Sequence, residues 1–175
     1  CNIYGTNDNF DFGDSHVLSA LVRRFVEAKD FQKKNVLLWG SGSPRREFIH
    51  VSDAAKSLIF LMEKYNEVDP INVGSGYDLS IKDLAHKISK IVGYTGEIDW
   101  DKTKPDGVPR KLLDISKLNE LGFKSVIGLD EGIKKTVEEF RDLKRKNSEI
   151  YSNNKYSKNS KNNAKNKDVY NISHS

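Results

Sequence analysis

The stretch that most constrains this chain is residues 39–53, WGSGSPRREFIHVSD, where a strand end, a Gly-Ser-Gly turn, paired arginines and a helix start follow without a spare position. The apolar run 36–39 reads as a buried strand end and 40–44 as a turn. The glycines there permit positive φ and close approach of a ligand to the backbone. Arg46 then opens a second strand-like run, 47–51, and Ser52 or Asp53 is the right type to cap the helix that follows. An arginine at a strand mouth beside a glycine turn is placed to fork onto a phosphate, because its planar guanidinium offers paired hydrogen bonds that lysine cannot. In a strand, Arg45 points the other way. The same residues also fit a hairpin-like turn with its arginines in water.

Around this stretch, apolar periodicity alternates helices with short strands. Ser15 can cap a helix whose inner face is Val17, Leu18, Leu21, Val22, Phe25 and Val26. A helix over 53–65 turns Ala55, Leu58, Ile59 and Met62 inward. Residues 71–73 read as a strand ending in Gly74-Ser75-Gly76. Ser80 and Asp83 form a capping box for a helix with Ile81, Leu84, Ala85, Ile88 and Ile91 inside, closed by Gly93. A strand over 97–100, the Lys104-Pro105-Asp106-Gly107 turn, a short helix capped by Ser116 and a helix from Leu129 to about Lys146 complete an α/β layout without internal repeats.

Composition divides the chain in two. Residues 1–146 hold the periodic elements, whereas 147–175 are dominated by Asn, Ser and Lys and cannot bury enough apolar surface to offset their ordering entropy. That segment reads as a disordered tail. Its five lysines against Glu149 and Asp168 account for most of the net charge of +4, so the body is close to neutral and gives no argument for nucleic-acid binding. Cys1 is the only cysteine, which excludes an internal disulfide. No apolar run approaches the roughly 18 residues of a membrane span, and no signal peptide is visible. The four histidines have no metal-ligand spacing, so no metal is expected. His50 reads as structural, His86 as the outer side of a helix and His174 as part of the tail. A start at Cys1, with Asn2-Ile3-Tyr4-Gly5 reading as a strand entering a loop, gives the appearance of the downstream part of a longer protein.

The opening motifs Asn2-Ile3-Tyr4-Gly5, Asp8-Asn9-Phe10 and Ser15-His16-Val17, together with WGSGSPRREF and KPDGVPRKLLD further on, resemble the GDP-L-fucose synthase family of extended short-chain dehydrogenases over about residues 1–140. The run from Arg46 to Asp53 is shared with many sugar-nucleotide epimerases and dehydratases. Ser15-His16-Val17 with residues 104–114 is the more diagnostic part.

The resemblance implies the C-terminal part of an NAD(P)-binding Rossmann-like fold, a substrate-binding domain with a small sheet and helices. It implies epimerisation of GDP-4-keto-6-deoxy-D-mannose at the two carbons flanking its ketone, then reduction of that ketone by NADPH, in a cytoplasmic enzyme. His16 matches the family's catalytic acid beside the nicotinamide; imidazole suits the task because both protonation states are accessible near neutrality. From the residues alone, His16 is equally a capping or loop histidine. Cys1, Asn2, Ile3 and His16 fall at cofactor-contacting positions, with Asn2 offering the polar side chain and Cys1 a small hydrophobe. Arg24, Trp39, Arg46 and Asp106 match positions that contact the GDP-sugar, Asp106 as an acceptor for ribose or base. Solvation would also explain Arg24, packing Trp39 and an ordinary Pro-Asp-Gly turn Asp106. The family's glycine-rich loop, catalytic cysteine and Ser, Tyr and Lys have no counterparts in this stretch, so the chain alone is expected to bind rather than to turn over. The resemblance implies a homodimer for the whole enzyme, resting largely on helices outside this chain. A sister 4,6-dehydratase or 4-epimerase, and a non-catalytic binding remnant, are the alternatives.

Overall fold

The computed structural model describes residues 1–11 and 14–154 of the 175-residue chain. In order along the chain they form β1 (Asn2–Tyr4), α1 (Val17–Asp30), β2 (Asn35–Trp39), β3 (Arg45–His50), α2 (Val51–Lys64), β4 (Asp78–Ser80), α3 (Ile81–Val92), β5 (Glu97–Asp101), β6 (Arg110–Lys111), α4 (Ser116–Glu120) and α5 (Leu129–Asn154). The α/β expectation holds.

Strand β3 organises the larger sheet by changing neighbours halfway along. Its first half, Arg45 to Glu47, pairs antiparallel with β4, and Arg45 and Arg46 also pair parallel with β6. The second half pairs parallel with β1, in the register Asn2 to Phe48, Ile3 to Ile49 and Tyr4 to His50. A second, two-stranded sheet aligns β2 parallel with β5, Trp39 opposite Asp101. Since β2 and β3 lie in different sheets, the glycine turn between them is a crossing from sheet to sheet and not a hairpin.

The core lies between helices. Leu18, Leu21, Val22, Phe25 and Val26 of α1 meet Leu84, Ala85 and Ile88 of α3 and Ile133, Val137 and Phe140 of α5, with Val36 and Leu38 of β2 beneath. Every residue assigned to the inner face of α1 is buried, as are four of the five on α3, with Ile91 packed at the margin. The α3 caps also follow the sequence: the Ser80 hydroxyl accepts from the Asp83 amide at 3.0 Å, and Gly93 closes the helix with φ +76°.

Other expectations fail for identifiable reasons. Helix α2 begins at Val51, capped by His50, whose Nδ1 accepts from the Ser52 amide at 3.2 Å. Asp53 is drawn elsewhere, to the backbone amides of Val126 and Ile127. The face of α2 expected inward is outside: Ala55, Leu58, Ile59 and Met62 are exposed, whereas Asp53, Ala54 and Ser57 are buried. Strand β2 is half-buried, Leu37 facing out. Residues 71–73 form no strand; Asn72 instead donates to the Asp114 carbonyl, and the ladder resumes only at β4. At the start of α1 the capping position falls to His16 and not Ser15. At α4 it is Asp114 that accepts from the amide and hydroxyl of Ser116. Helix α5 continues to Asn154, past the expected end near Lys146. The rest of the expected tail, 155–175, lies outside the described residues.

Candidate functional site

Two loops facing each other at one end of the small sheet build the clearest site. The turn leaving β2 carries Gly40, Ser41 and Gly42; the loop leaving β5 carries Lys104 to Gly107. Because β2 and β5 run parallel, both loops emerge at the same end. Asp106 locks them together: its Oδ1 accepts from the Ser41 amide at 2.8 Å and its Oδ2 from the Ser41 hydroxyl at 2.6 Å. These bonds hold its carboxyl below the usual carboxylate range. Glycine is required here by space, since a Cβ on Gly40 would lie 2.4 Å from Asp106 Oδ1 and one on Gly42 would lie 2.6 Å from the Trp100 ring, both at positive φ.

Beside this lock sits Arg46, only 6 % exposed. One guanidinium nitrogen donates to the carbonyls of Arg45 and Val108, at 2.8 and 2.6 Å, which fixes the plane of the group. No carboxylate pairs with it among the described residues, and desolvation pulls its pKa down. Nη2 would lie 3.1 Å from a Cβ on Gly107, so a side chain there would press on that side of the fork. A buried cation without an anion is costly. A phosphate is the ligand type that relieves such a cost with paired hydrogen bonds.

Arg45 shows the contrast. It projects to the other face and donates to Asp78 through Nε at 3.1 Å and Nη2 at 2.9 Å, while Arg110 reaches the second carboxylate oxygen at 2.5 Å. The two arginine hydrogen bonds hold the Asp78 carboxyl below its ordinary range. Trp39, half-buried at the end of β2, carries the Lys104 ammonium 5.1 Å from its ring centre. On α1, Arg24 donates to the Leu37 carbonyl at 2.7 Å, which brings it to the same strand. The structure therefore gathers Trp39, Arg46 and Asp106 around one pair of loops, with Arg24 tied to the strand that leads into them.

The remaining expected residues stand apart from that group. Asn2 donates through Nδ2 to the Glu47 carbonyl at 3.1 Å, pinning β1 to β3; Cys1 and Ile3 are exposed. His16 is exposed at the start of α1, its side chain making no capping bond. No hydrogen bond, ion pair or ring contact links His16 to Cys1, Asn2 or Ile3 among the described residues. Sequence reasoning missed Ser41 and Lys104, which hold the loop and cover the indole, and Glu47, which braces the strand that carries Arg46. Glu47 is 1 % exposed; Oε1 accepts from the Gly76 amide at 2.6 Å and Oε2 from the Leu113 amide at 3.1 Å. A serine between two glycines was the available signal for Ser41; nothing local marks Glu47.

Residues 1–74 match the NAD dependent epimerase/dehydratase family. The chain is 52 % identical over 137 residues to a protein named putative GDP-L-fucose synthase 2 of Arabidopsis thaliana, covering 78 % of this chain and 42 % of the relative. To the GDP-L-fucose synthase of Escherichia coli it is 46 % identical over 148 residues, covering 79 % and 46 %. Residues 1–74 thus carry the pattern of the NAD-dependent epimerase/dehydratase family. Among solved members, a GDP-L-fucose synthetase from Naegleria fowleri bound to NADP superposes with a TM-score of 0.77 at 28 % identity, covering 82 % of this chain and 46 % of that one. A GDP-6-OMe-4-keto-L-xylo-heptose reductase from C. jejuni gives a TM-score of 0.72 at 35 % identity, covering 81 % and 52 %. The chain thus spans about half the length of the relatives it matches.

Cys1, Asn2, Ile3 and His16 all lie inside the segment matched by the family model, as do Arg24, Trp39 and Arg46; Asp106 lies beyond it. Among the described residues, no group of three or more His, Cys, Asp or Glu side chains is arranged to hold a metal ion, and no helix is long and apolar enough to cross a membrane.

Proposed function

We propose that this chain is the sugar-nucleotide-binding part of an NADPH-dependent GDP-L-fucose synthase, acting on GDP-4-keto-6-deoxy-D-mannose. The observation that carries the reading is Arg46, buried beside the Ser41–Asp106 lock and without a carboxylate partner among the described residues. Arg46 and Arg24 take the diphosphate, Trp39 offers an apolar face to the nucleoside, and Asp106 shapes the loop that receives it. Because both Asp106 oxygens are already bonded to Ser41, its first task is to hold the turn, and its spare lone pairs remain available to ribose or base.

Hydrogens on the carbons flanking a ketone are acidic, so epimerisation there needs a group that returns a proton to carbon. His16, exposed at the head of α1 with no capping bond from its side chain, is assigned that proton. Where NADPH is concerned, Cys1, Asn2, Ile3 and His16 are the residues that would hold its nicotinamide end. Gly5, at φ +128°, leaves room for His50 at the end of β1, the strand that Asn2 and Ile3 begin. Bound there, the cofactor would supply hydride for the ketone. The support comes from relatives and solved structures named for GDP-sugar chemistry.

Titration of this chain with GDP by calorimetry tests the binding half of the reading. Arg46→Ala is expected to weaken GDP by about 2–5 kcal/mol, as loss of one member of a buried charge pair does. Arg46→Lys should recover only a minor part, since an ammonium cannot form the fork. An unchanged dissociation constant in Arg46→Ala, or a preference for UDP over GDP, would remove the assignment. In the full-length protein, His16→Gln should abolish conversion to GDP-L-fucose while leaving GDP affinity intact; near-normal product formation would remove His16 from the chemistry.

A further inference from the structure

Three buried polar groups meet where the end of β1 packs against the head of α2. His50, which ends β3 and caps α2, is 3 % exposed, and Asp53, three residues on in the first turn of α2, is 1 % exposed. The atoms His50 Nε2 and Asp53 Oδ1 are buried and have no hydrogen-bond partner among the described residues. The third group is the hydroxyl of Tyr4, also 3 % exposed, which makes no hydrogen bond among those residues either. Strand register and helix spacing bring the three together. Tyr4 is the partner of His50 in the parallel pairing of β1 with β3, and the two rings meet edge to face with 5.5 Å between their centres. Positions 50 and 53 stand three apart at the head of a helix, so their side chains share one side. Burial first and the charge of Asp53 second push the Tyr4 hydroxyl above its ordinary range; at His50 the same carboxylate opposes burial and Lys135, which lower it. Two glycines border the space. A Cβ on Gly5 would lie 2.8 Å from His50 Nε2, and one on Gly132, in the first turn of α5, would overlap the Tyr4 hydroxyl.

The hydrogen-bonding sense of each group follows from the bonds it already makes. His50 Nδ1 accepts from the Ser52 amide at 3.2 Å, so in the neutral ring Nε2 carries the proton and is a donor. Asp53 Oδ2 takes the amides of Val126 and Ile127, which leaves Oδ1 an acceptor. The Tyr4 hydroxyl can serve either way. A buried donor and a buried acceptor left unpaired are costly. We infer that Tyr4, His50 and Asp53 form an internal water-binding site, in which one water accepts from His50 Nε2–H, donates to Asp53 Oδ1 and shares a third hydrogen bond with the Tyr4 hydroxyl. About three hydrogen bonds is what a buried water ordinarily makes. The groups select water over an ion: the carboxylate disfavours an anion, and the imidazole N–H disfavours a cation. Such a water joins the end of β1 to the head of α2, just where the chain turns at Gly5 into the loop that leads to His16. It fixes the root of that loop whichever nucleotide Arg46 meets.

The probe is water itself, observed by NMR in the whole chain. Cross-relaxation from water to the His50 ring should show the ratio of laboratory-frame to rotating-frame transfer that marks a long-lived bound water, and the ring nitrogens should report the Nε2–H form. Tyr4→Phe serves as the control, because it removes the one labile hydroxyl that could relay magnetisation to the ring. The bound-water signal at His50 should persist in that variant, held by the two remaining partners. The Nε2 proton should then exchange with solvent roughly fivefold faster, the factor that one net hydrogen bond is worth. No bound-water signal in either protein, or equal exchange of the Nε2 proton in both, would overturn the inference. A crystal structure of the chain gives an independent reading. Ordered density within hydrogen-bond distance of Tyr4 Oη, His50 Nε2 and Asp53 Oδ1 supports the site, whereas a direct bond from Nε2 to Oδ1 with no such density removes it.

Discussion

Two adjacent arginines illustrate how much of the site is decided by side-chain parity. Arg45 and Arg46 differ by one position in β3, and that one position sends Arg45 to Asp78 and half-exposes it, while Arg46 is buried against the carbonyl of Val108. Parity is legible in a sequence once a strand is recognised, and the opposite pointing of the pair follows from it. The neighbour Glu47 shows the limit of that reading. It is a charged residue at a buried position, and its amide partners lie 29 and 66 residues downstream. No local pattern carries such information. Its two oxygens serve different segments, so Glu47→Gln must turn an amide NH2 toward one of the two N–H groups, leaving a buried donor facing a donor. The expected cost is about 1–3 kcal/mol of folding stability. Urea denaturation measures it; a loss below about 0.5 kcal/mol, the level of an ordinary surface substitution, would mean that Glu47 does not brace the strand.

At the scale of elements, α3 and α2 are instructive opposites. Helix α3 was readable from end to end because its cap, its apolar stripe and its terminal glycine are all local and all point the same way. Helix α2 has an equally regular stripe, and periodicity correctly gave a helix there. Periodicity does not say what the stripe meets, and among the described residues it stays largely exposed. Its cap was missed because histidine is not a usual capping type, yet the His50 Nδ1 accepts from Ser52 and must be unprotonated to do so. Burial first, and Lys135 second, lower the His50 pKa from its ordinary 6.5, against the opposing influence of Asp53, Glu131 and Glu139. A histidine whose folded pKa is lowered contributes stability that is fully present above the unfolded value. It is lost as pH falls from about 6.5 through the folded value, because the unfolded chain binds the proton first. His50→Asn retains a capping side chain without the titration. Melting curves between pH 7.5 and 5.5 should therefore fall less steeply for His50→Asn than for the native chain, even if the variant melts lower throughout for want of the ring packed 5.5 Å from Tyr4. Parallel pH profiles would show that His50 carries no linked proton.

Over the whole molecule, the sequence conveyed which elements exist better than how they are joined. The α/β alternation and the core faces of α1 and α3 came through because they depend on neighbours within a few turns. The crossing from sheet to sheet at Gly40 to Pro44, the division of β3 between partners and the Ser41–Asp106 lock did not, because each joins residues far apart in the chain. The candidate site was divided in the same way. Its residue types suggested a phosphate, the resemblance to GDP-L-fucose synthases suggested which positions take part, and only the folded chain showed Asp106 already engaged. Asp53 is the most consequential of the long-range joints. It is 1 % exposed, and its Oδ2 accepts from the amides of Val126 and Ile127 at 2.8 and 2.7 Å, tying the first turn of α2 to the segment that leads into α5. Asp53→Ala strands both amides, and the expected loss is about 2–4 kcal/mol, a penalty of roughly 1–3 kcal/mol for each orphaned group with partial recovery from water. Asp53→Asn keeps an oxygen in the same place and can hold both bonds, so its loss should be less than half as large. Amide exchange at Val126 and Ile127 separates the two variants directly, fast in Asp53→Ala and near native in Asp53→Asn. Equal destabilisation by the two substitutions would transfer the credit from the hydrogen bonds to the charge, and α2 would then owe its attachment to electrostatics instead of to this pair of amides.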